Sequence, residues 1–364
     1  MNTRAALFHA PGVPLEVREI ELADPRPDEV LVRMAAVGIC GTDLHVVKGE
    51  WQRPTPMVLG HEGAGVVEAI GDEVEGLTEG DHVVLSWAPS CGECADCRRG
   101  SPAACLRLQR AIGEGTLLDG TTGMTLDGQT VYRGTATGAL SERLVVPRKA
   151  ALHVDQDVRL EHAALLGCAA LTGVGAVLFV ARPEPGSVVL VIGAGGVGQF
   201  VVQGARIADA AAIVSVDPIE GRRERARQLG ATHAIPPDGL KAAMSEVAAD
   251  GADVAFDAVG DPETSALALR WTRNGGMTVL VGLPAAGARL DLDPADFSRR
   301  EKLLTGTMYG STDPRVALPI LLDHVRAGRL ALETLLGPTY PLEQVNEAIE
   351  ASLAGSPGRV LVAP

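Results

Sequence analysis

The sequence predicts an α/β protein of two domains, one a doubly wound, six-stranded parallel sheet and the other a mostly β domain. Three observations support this prediction. The chain has 364 residues, about twice the usual size of one domain. A glycine-rich loop at residues 193–198 lies between a strand-like apolar segment and a helix-like one. Strands and helices alternate after that loop, whereas the first 150 residues contain short β segments broken by Gly and Pro.

Composition and charge limit the class of function. Hydrophobic residues make up 46% and charged residues 21% of the chain, which is typical of a globular protein and argues against disorder. The net charge is −14, so a phosphate backbone would be repelled, and we expect no nucleic-acid partner. The N-terminal residues show no apolar segment behind a basic one, which predicts a cytoplasmic protein without a secretory signal.

Two uncharged windows, residues 163–181 and 187–205, are long enough to raise the question of a membrane span. Both are rich in Gly and contain Thr, Ser or Gln. Buried helices and parallel strands of α/β domains produce the same apolar runs. We therefore expect core segments of an enzyme, and no association with a membrane.

The N-terminal region predicts a partly antiparallel β domain. Short apolar segments near residues 29–36, 65–70 and 82–86 are separated by Gly and Pro, as in strands joined by turns. The sequence contains no internal repeat and no long flexible linker.

Four of the six cysteines lie within fifteen residues, with the spacing C-x2-C-x2-C-x7-C. Such short spacings let one loop surround a zinc ion with four thiolates, and the closed shell leaves no position for substrate. Disulfide pairing is the alternative, but a reducing cytosol disfavours it. The lobe has almost no apolar residues, so metal binding would supply much of its folding energy. We predict a structural zinc site with these ligands: Cys91, Cys94, Cys97 and Cys105.

The two remaining cysteines suggest a second, different metal site. Cys40 opens the segment Cys-Gly-Thr-Asp-Leu-His, and His61 follows sixteen residues after the end of that segment. A lone buried Cys or His is usually structural. Together with Cys168 they supply two thiolates and one imidazole, the ligand set that leaves one zinc position open for water or substrate.

The glycine-rich loop predicts a dinucleotide site. A strand precedes it, a helix follows it, and Asp217 ends the next apolar strand. The first glycine permits the tight turn, the second lets the backbone approach a pyrophosphate, and the third packs the helix against the strand. Asp217 would accept from a ribose 2′-hydroxyl and repel a 2′-phosphate, so we expect NAD rather than NADP, although Arg222 and Arg223 lie nearby. The loop residues expected to contact the cofactor are Gly193, Gly195, Gly196, Val197 and Gly198.

The segments after the loop continue the alternation of strands and helices that a parallel sheet with crossover helices requires. The predicted strands are residues 187–192, 211–217, 233–235, 253–257, 276–282 and 303–309, and the helices after the second strand are 220–229, 240–249 and 263–273.

These motifs resemble the zinc-dependent alcohol dehydrogenases of the medium-chain dehydrogenase/reductase superfamily, and the likeness covers nearly the whole chain. They include GHEGAGVVEAIGDEVEGLTEGDHV around His61, the four-cysteine lobe, ALLGCAALTGVGAV around Cys168 and the glycine loop with Asp217. The resemblance implies a GroES-like catalytic domain, residues 1–169 plus 309–364, with the lobe at about 91–105. A Rossmann NAD-binding domain, residues 170–308, would be inserted into it.

The resemblance also assigns roles around the catalytic zinc, which Cys40, His61 and Cys168 would bind. Glu62 would lie beside the metal, and Asp43 would orient the imidazole of His61 unless it is a solvated loop acid. Polyol-type relatives usually carry a carboxylate at the position of Cys168, so its sulfur resembles the alcohol-type branch.

The implied reaction is reversible hydride transfer between an alcohol and NAD. Zinc would lower the pKa of the alcohol so that an alkoxide forms near neutral pH. Thr42 would hydrogen-bond the alcohol, and His45 would pass its proton through the cofactor ribose to solvent, unless His45 is only a surface residue. Arg359 matches a pyrophosphate contact, whereas Gly41 stands where some members have a basic residue.

Alternatives remain open. Glutathione- or mycothiol-dependent formaldehyde dehydrogenases are close relatives, but the glutathione type has an arginine where this chain has Gln109, with Arg110 adjacent. A zinc- and NAD-binding scaffold without activity and a reductase of C=C bonds are further candidates. The identity of the alcohol or carbonyl substrate stays open. The resemblance implies a homodimer or homotetramer, because relatives pair the edge strands of their cofactor domains and the apolar stretch after Gly276 would permit such pairing.

Overall fold

The computed structural model describes residues 1–364 and divides into two compact units. The outer unit comprises Met1–Cys168 and Leu336–Pro364, and the inserted unit comprises Ala169–Leu335.

Eleven strands of the outer unit precede the inserted unit, and most of them pair antiparallel, as predicted for this part of the chain. Four very short strands, β4 and β7 to β9, carry too few residues to show a periodic pattern in the sequence. The strands are β1 (Asn2–Phe8), β2 (Glu16–Leu22), β3 (Glu29–Gly38), β4 (Met57–Val58), β5 (Glu62–Ile70), β6 (His82–Leu85), β7 (Met124–Leu126), β8 (Gln129–Thr130), β9 (Tyr132–Arg133), β10 (Arg143–Pro147) and β11 (Ala151–Val154).

Four helices accompany these strands, and the strands form two sheets. One sheet has the order β8-β7-β2-β1-β4-β9, and the other contains β11-β6-β5-β3 with β10 also paired to β3. Apolar side chains such as Leu7, Val32 and Leu140 are fully buried in one shared core. The helices are α1 (Gly41–Val47), α2 (Ala95–Arg98), α3 (Leu106–Glu114) and α4 (Leu160–Leu165).

A long apolar helix covers residues 160–181 and includes α4 and α5 (Leu171–Gly175), with π-helical turns at Leu166–Ala170 and Ala176–Ala181. Its length and composition would suffice to cross a membrane, but 78% of its apolar window is buried inside the protein. Such burial is what a core helix of a globular domain shows. The other window noted in the sequence, residues 187–205, is divided between a strand and a helix.

The inserted unit contains the predicted parallel sheet of six strands, in the order β14-β13-β12-β15-β16-β17. The strand order reverses at β12, beside which the glycine-rich loop lies, as in doubly wound nucleotide-binding folds. The elements are β12 (Val188–Ile192), α6 (Gly196–Ile207), β13 (Ala212–Val216), α7 (Glu220–Leu229), β14 (His233–Ile235), α8 (Leu240–Val247), β15 (Ala252–Asp257), α9 (Pro262–Arg270), β16 (Thr272–Leu280), α10 (Pro294–Arg300), β17 (Leu303–Gly306) and α11 (Pro314–Arg326).

The chain then returns to the outer unit through β18 (Leu336–Pro341), α12 (Val345–Leu353) and β19 (Arg359–Ala363). Strand β19 pairs antiparallel with β3 and parallel with β18, so the C-terminal tail completes the second sheet. Short 3-10 turns occur at Pro102–Ala104, Gly134–Ala136, Arg148–Ala150, Pro237–Gly239, Tyr309–Ser311, Glu333–Leu335 and Leu342–Gln344.

From the sequence we predict that the chain re-enters the catalytic domain at residue 309. The two compact units instead divide after Leu335. The physical reason is packing: the turn Tyr309–Ser311 and helix α11 both lie against α5 in the inserted unit. The functional domain boundaries drawn from the resemblance remain a prediction.

Candidate metal centre and cofactor loop

The structure brings three predicted metal ligands together in the outer unit. Cys40 lies just before α1, His61 just before β5, and Cys168 in the first π-helical turn of the long helix. Their ligand atoms all lie within 4.8 Å of one another, and the three residues are buried, with exposures of 7%, 1% and 6%. Two sulfurs and an imidazole nitrogen at this separation fit a single zinc ion.

Strand register explains why residues so far apart in the chain meet here. Strands β3 and β5 pair antiparallel, with Gly38 opposite Glu62, so the end of β3 and the start of β5 lie side by side. A β-carbon at Gly38 would lie 2.9 Å from the Glu62 carboxyl carbon. Next to Cys168, a β-carbon at Gly167 would lie 2.6 Å from the Leu85 carbonyl oxygen. Both positions therefore require glycine for the close approach.

Asp43 joins the two loops that carry Cys40 and His61. Its Oδ2 accepts from the Cys40 backbone N–H at 3.1 Å, and its Oδ1 accepts from the Gly60 N–H at 3.0 Å. His61 Nδ1 lies 3.3 Å from the same Oδ1, and Asp43 is only 3% exposed. Because the carboxylate can only accept, Nδ1 carries the proton and Nε2 remains available to a metal ion.

The electrostatics of the three ligands suit a bound dication. Hydrogen bonding with Cys168 lowers the pKa of Cys40 well below its usual value, although burial opposes this shift. Hydrogen bonding with Cys40, together with burial, raises the pKa of Cys168. Burial lowers the pKa of His61, but the Asp43 and Cys40 charges raise it well above its usual value. Metal binding at these three groups would release their protons, because a metal ion binds thiolates and a neutral imidazole.

Glu62 and Arg359 form a buried ion pair beside this site. The Arg359 Nε and Nη2 lie 3.1 Å from the two Glu62 oxygens, and Nη1 donates to the Ile39 carbonyl at 3.0 Å. Burial raises the pKa of Glu62 to about 8, against the lowering effect of Arg359. Burial lowers the pKa of Arg359, but Glu62, Cys40 and Cys168 raise it above its usual value. The Nε–H donates to one Glu62 oxygen at 3.1 Å and Nη2 lies 3.1 Å from the other, and these contacts favour the ionised pair. The predicted contact of Arg359 with a cofactor stays a prediction.

Sequence reasoning missed two groups: Trp87, which neighbours the predicted ligand His61, and Glu50, which contacts His45. The Trp87 ring meets the His61 ring edge-on at 6.2 Å and is 6% exposed. Its only sequence signal is its position directly after the strand predicted at 82–86. Glu50 contacts His45 Nδ1, and the Trp51 ring stacks on the His45 ring.

Thr42 and His45 lie three residues apart on α1, so both side chains lie on one side of that short helix. Both are half-buried. Their positions in the first and last turns of α1 follow directly from the helix that Cys40 starts and Asp43 caps.

The four cysteines of the lobe also converge. Their sulfurs lie within 4.8 Å of one another, with Cys94 and Cys97 at 3.4 Å and Cys91 and Cys105 at 3.5 Å. These separations are far longer than a disulfide bond, and all six cysteines of the chain are free. A backbone hydrogen bond lowers the pKa of Cys94 to about 6, and burial raises the pKa of Cys97 to about 12. The set fits a closed four-thiolate zinc site.

The glycine loop of the inserted unit has the features that a dinucleotide site requires. Gly193 has φ +90°, and Gly195 caps helix α6, which begins with Gly196 and Val197. A β-carbon at Gly198 would lie 1.7 Å from the Gly193 carbonyl oxygen, whereas one at Gly195 would meet nothing within 4 Å. The third glycine is therefore needed for packing, and the second leaves the helix N-terminus accessible.

Asp217 follows β13 and supports this loop. Its Oδ2 accepts from the Ala194 N–H at 2.9 Å and its Oδ1 from the Ile219 N–H at 2.9 Å. The Arg222 Nη1 lies 3.7 Å from Oδ2, with 23% of the Arg222 side chain exposed. Arg223 instead donates to the carbonyl oxygens of Asp217 and Pro218.

Comparison with known proteins agrees with this geometry. Residues 26–156 match the family model of the alcohol dehydrogenase GroES-like domain, and residues 196–323 match that of the zinc-binding dehydrogenases. The chain is 34% identical over 368 residues to an S-(hydroxymethyl)glutathione dehydrogenase of Escherichia coli, with 100% of both chains covered.

Solved structures are similar over the same length. An alcohol dehydrogenase zinc-binding domain protein from Burkholderia ambifaria is 34% identical with a TM-score of 0.94, covering 100% of this chain and 99% of that one. Benzyl alcohol dehydrogenase from Acinetobacter calcoaceticus is 31% identical with a TM-score of 0.93 and the same coverage. The family assignment made from the motifs is thus confirmed: this chain is a zinc-dependent oxidoreductase of the alcohol dehydrogenase family, within the medium-chain dehydrogenase/reductase superfamily.

Proposed function

We propose that this protein is an NAD-dependent alcohol dehydrogenase that interconverts an alcohol and its aldehyde or ketone and holds two zinc ions per chain. The convergence of Cys40, His61 and Cys168 within 4.8 Å, all buried, carries the proposal. A three-ligand site of this composition leaves one coordination position for the reacting oxygen, whereas the closed four-cysteine lobe leaves none.

The chain supplies groups that would hold the metal ligand in place, hydrogen-bond the alcohol and take up its proton. When bound, the metal would lower the pKa of an alcohol and NAD would accept the hydride. Asp43 holds the His61 ring through Nδ1. The Thr42 hydroxyl would hydrogen-bond the alcohol, and His45 would take up its proton and pass it to solvent. Glu62 and Arg359 balance each other's charge beside the ligands.

The preference for NAD over NADP rests on Asp217. Its carboxylate ends the second strand of the sheet and is 2% exposed, and its two oxygens accept backbone hydrogen bonds that hold it against the glycine loop. A carboxylate held there suits a ribose 2′-hydroxyl and repels a 2′-phosphate. Arg222 and Arg223 are the nearby cations that could favour NADP. The Arg222 guanidinium lies 3.7 Å from an Asp217 carboxylate oxygen, and Arg223 donates to the carbonyl oxygens of Asp217 and Pro218.

The experiment that tests this proposal is reduction of the cofactor across a panel of primary, secondary and aromatic alcohols, run with NAD and with NADP. We expect turnover with NAD, and a kcat/KM for NAD at least about tenfold above that for NADP, because a repelled phosphate costs roughly 1.4 kcal/mol or more. Equal or better use of NADP would contradict the role of Asp217. Absence of turnover with every alcohol and carbonyl in the panel would favour the inactive scaffold.

S-(hydroxymethyl)glutathione oxidation is the second candidate, because relatives of that name match the whole chain. The local residues disfavour it. Gln109 occupies the position of the arginine expected from the resemblance, and the Arg110 guanidinium forms an ion pair with Glu114 at 2.8 Å on the exposed face of helix α3. The same assay decides the matter if the thiol adduct is included: a kcat/KM above that of every simple alcohol would favour the second candidate.

Metal content gives an independent prediction. We expect about two zinc ions per chain by mass spectrometry of the digested protein, since two separate ligand sets are present. Replacing Cys94 and Cys97 by serine should remove one of them and destabilise the lobe, which has few apolar contacts of its own. If the wild type held only about one zinc ion per chain and the double variant lost it, the three-ligand site would bind no metal. That result would contradict the proposal.

We also propose a cytoplasmic homo-oligomer, dimeric or tetrameric. The net charge of −14 disfavours a nucleic-acid partner, and 78% of the apolar window in the one helix long enough to cross a membrane is buried inside the protein. Strand β17 lies at the edge of the parallel sheet, and Leu303 on it is 54% exposed, which suits pairing with a second copy.

A further inference from the structure

The side chain of His45 is held by two neighbours that no part of the proposed mechanism uses. Its Nδ1 contacts a carboxylate oxygen of Glu50. The Trp51 ring stacks on the imidazole with the ring centres 4.5 Å apart and the planes 15° from parallel. Only 22% of the His45 side chain and 33% of the Glu50 side chain are exposed.

The backbone directs both neighbours onto His45. The N–H groups of Glu50 and Trp51 both donate to the His45 carbonyl, at 2.9 and 3.3 Å. The turn between them and α1 passes through Gly49 at φ +75°, a conformation that favours glycine. The segment 49–51 thus folds back onto the residue whose ring it contacts, and the arrangement does not depend on the side chains alone.

The chemistry of the contact fixes where the proton sits. An ionised carboxylate has no proton to donate, so the imidazole must present Nδ1–H to Glu50. The second Glu50 oxygen lies 3.9 Å from the Lys48 ammonium. A neutral imidazole with a proton on Nδ1 has an unprotonated Nε2, and only that nitrogen can then accept a proton.

We propose that Glu50 is a positioning residue for proton transfer: it holds His45 as the Nδ1–H tautomer, with Nε2 ready to accept, while Trp51 fixes the plane of the ring. This inference rests on the proposed function of His45 as the proton acceptor. A carboxylate that orients an imidazole in this way raises the efficiency of proton transfer without touching the substrate.

The tautomer is measured directly on the zinc-loaded protein labelled with ¹⁵N-histidine, using two-bond nitrogen–proton correlations at pH 9. The His45 signals are identified by their loss in His45→Asn. We expect a proton on Nδ1 in the wild type and a shift toward the Nε2–H form in Glu50→Ala, with Glu50→Asp restoring part of the Nδ1–H form. A wild-type proton on Nε2, or an unchanged tautomer in Glu50→Ala, would overturn the proposal.

Kinetics provide the second readout. Glu50→Ala should lower kcat about tenfold with KM within about twofold, because the loss concerns orientation and not binding. The matched control is Lys48→Ala, which removes the other ion pair of Glu50 without touching His45 and should leave kcat unchanged. Both variants should melt near the wild-type temperature, since partly exposed ion pairs contribute little to stability.

A double variant separates this inference from the function on which it rests. In His45→Ala, the added change Glu50→Ala should lower kcat no further, because Glu50 acts only through the imidazole. A further tenfold loss in that background would show that Glu50 acts by another route and would overturn the proposal. Wild-type kcat in His45→Ala alone would instead refute the proton-accepting role of His45, while the tautomer measurement would still decide what Glu50 does to the ring.

Discussion

Replacing His61 with alanine is expected to lower kcat at least about a thousandfold, because a site reduced to two sulfurs would lose the metal that activates the alcohol. The structural change should be confined to that metal site. Asp43 keeps its two backbone donors, the Cys40 and Gly60 N–H groups, so the loops around the missing ring retain their ties. The glycine loop proposed to bind NAD lies in the other compact unit, and the dissociation constant for NAD should stay within about threefold of wild type.

The measurements are kcat, zinc content and NAD titration on the same preparation. Zinc should fall from about two ions per chain to about one, the remaining ion belonging to the four-cysteine lobe. His153→Ala is the matched control, since His153 is an exposed histidine on β11 of the same unit. Turnover that survives in His61→Ala would exclude metal-assisted chemistry at this site, and a full complement of zinc would show that His61 is not a ligand.

The residue types of the candidate metal site could be recognised in the sequence, but several of their contacts could not. Cys40 and His61 stand in short motifs whose residue types carry the chemistry. The register of β3 against β5 that brings them together depends on pairing over the whole sheet. The ion pair of Glu62 and Arg359 joins residues 297 positions apart and leaves no local pattern.

Strand prediction succeeded in the inserted unit for a physical reason. Parallel strands are buried on both faces, so each reads as a short apolar run between helices. The first and last residues of the strands were less well predicted. Strand β16 begins at Thr272, four residues earlier than expected, because the polar segment Thr-Arg-Asn-Gly continues the strand after α9 ends at Arg270. Its Thr272 side chain hydrogen-bonds within the core, to Thr278 and to the Ala268 carbonyl, which no hydrophobic pattern reveals.

Alanine substitutions in the glycine loop should also have a large effect. The two glycines Gly195 and Gly198 lie three residues apart, but their replacement should change stability differently. Gly198→Ala would place a methyl group 1.7 Å from the Gly193 carbonyl oxygen and 2.8 Å from its carbon. Both are backbone atoms of a residue that itself sits at φ +90°, so neither can move aside without distorting β12 or α6. We expect a loss of about 3 kcal/mol or more in the free energy of unfolding of the inserted unit, together with the loss of NAD binding.

Gly195→Ala is the matched variant, because it adds the same methyl group to the same loop where nothing lies within 4 Å. Its backbone, at φ −70° and ψ −170°, suits any residue, so its stability should equal or slightly exceed that of the wild type. The added methyl group would nevertheless stand where the pyrophosphate approaches the backbone, and NAD affinity should fall at least about tenfold. Urea unfolding and NAD titration of the two variants separate packing from binding. A Gly198→Ala protein as stable as the wild type would refute the packing role, and unchanged NAD affinity in Gly195→Ala would mean that the pyrophosphate does not lie against this turn.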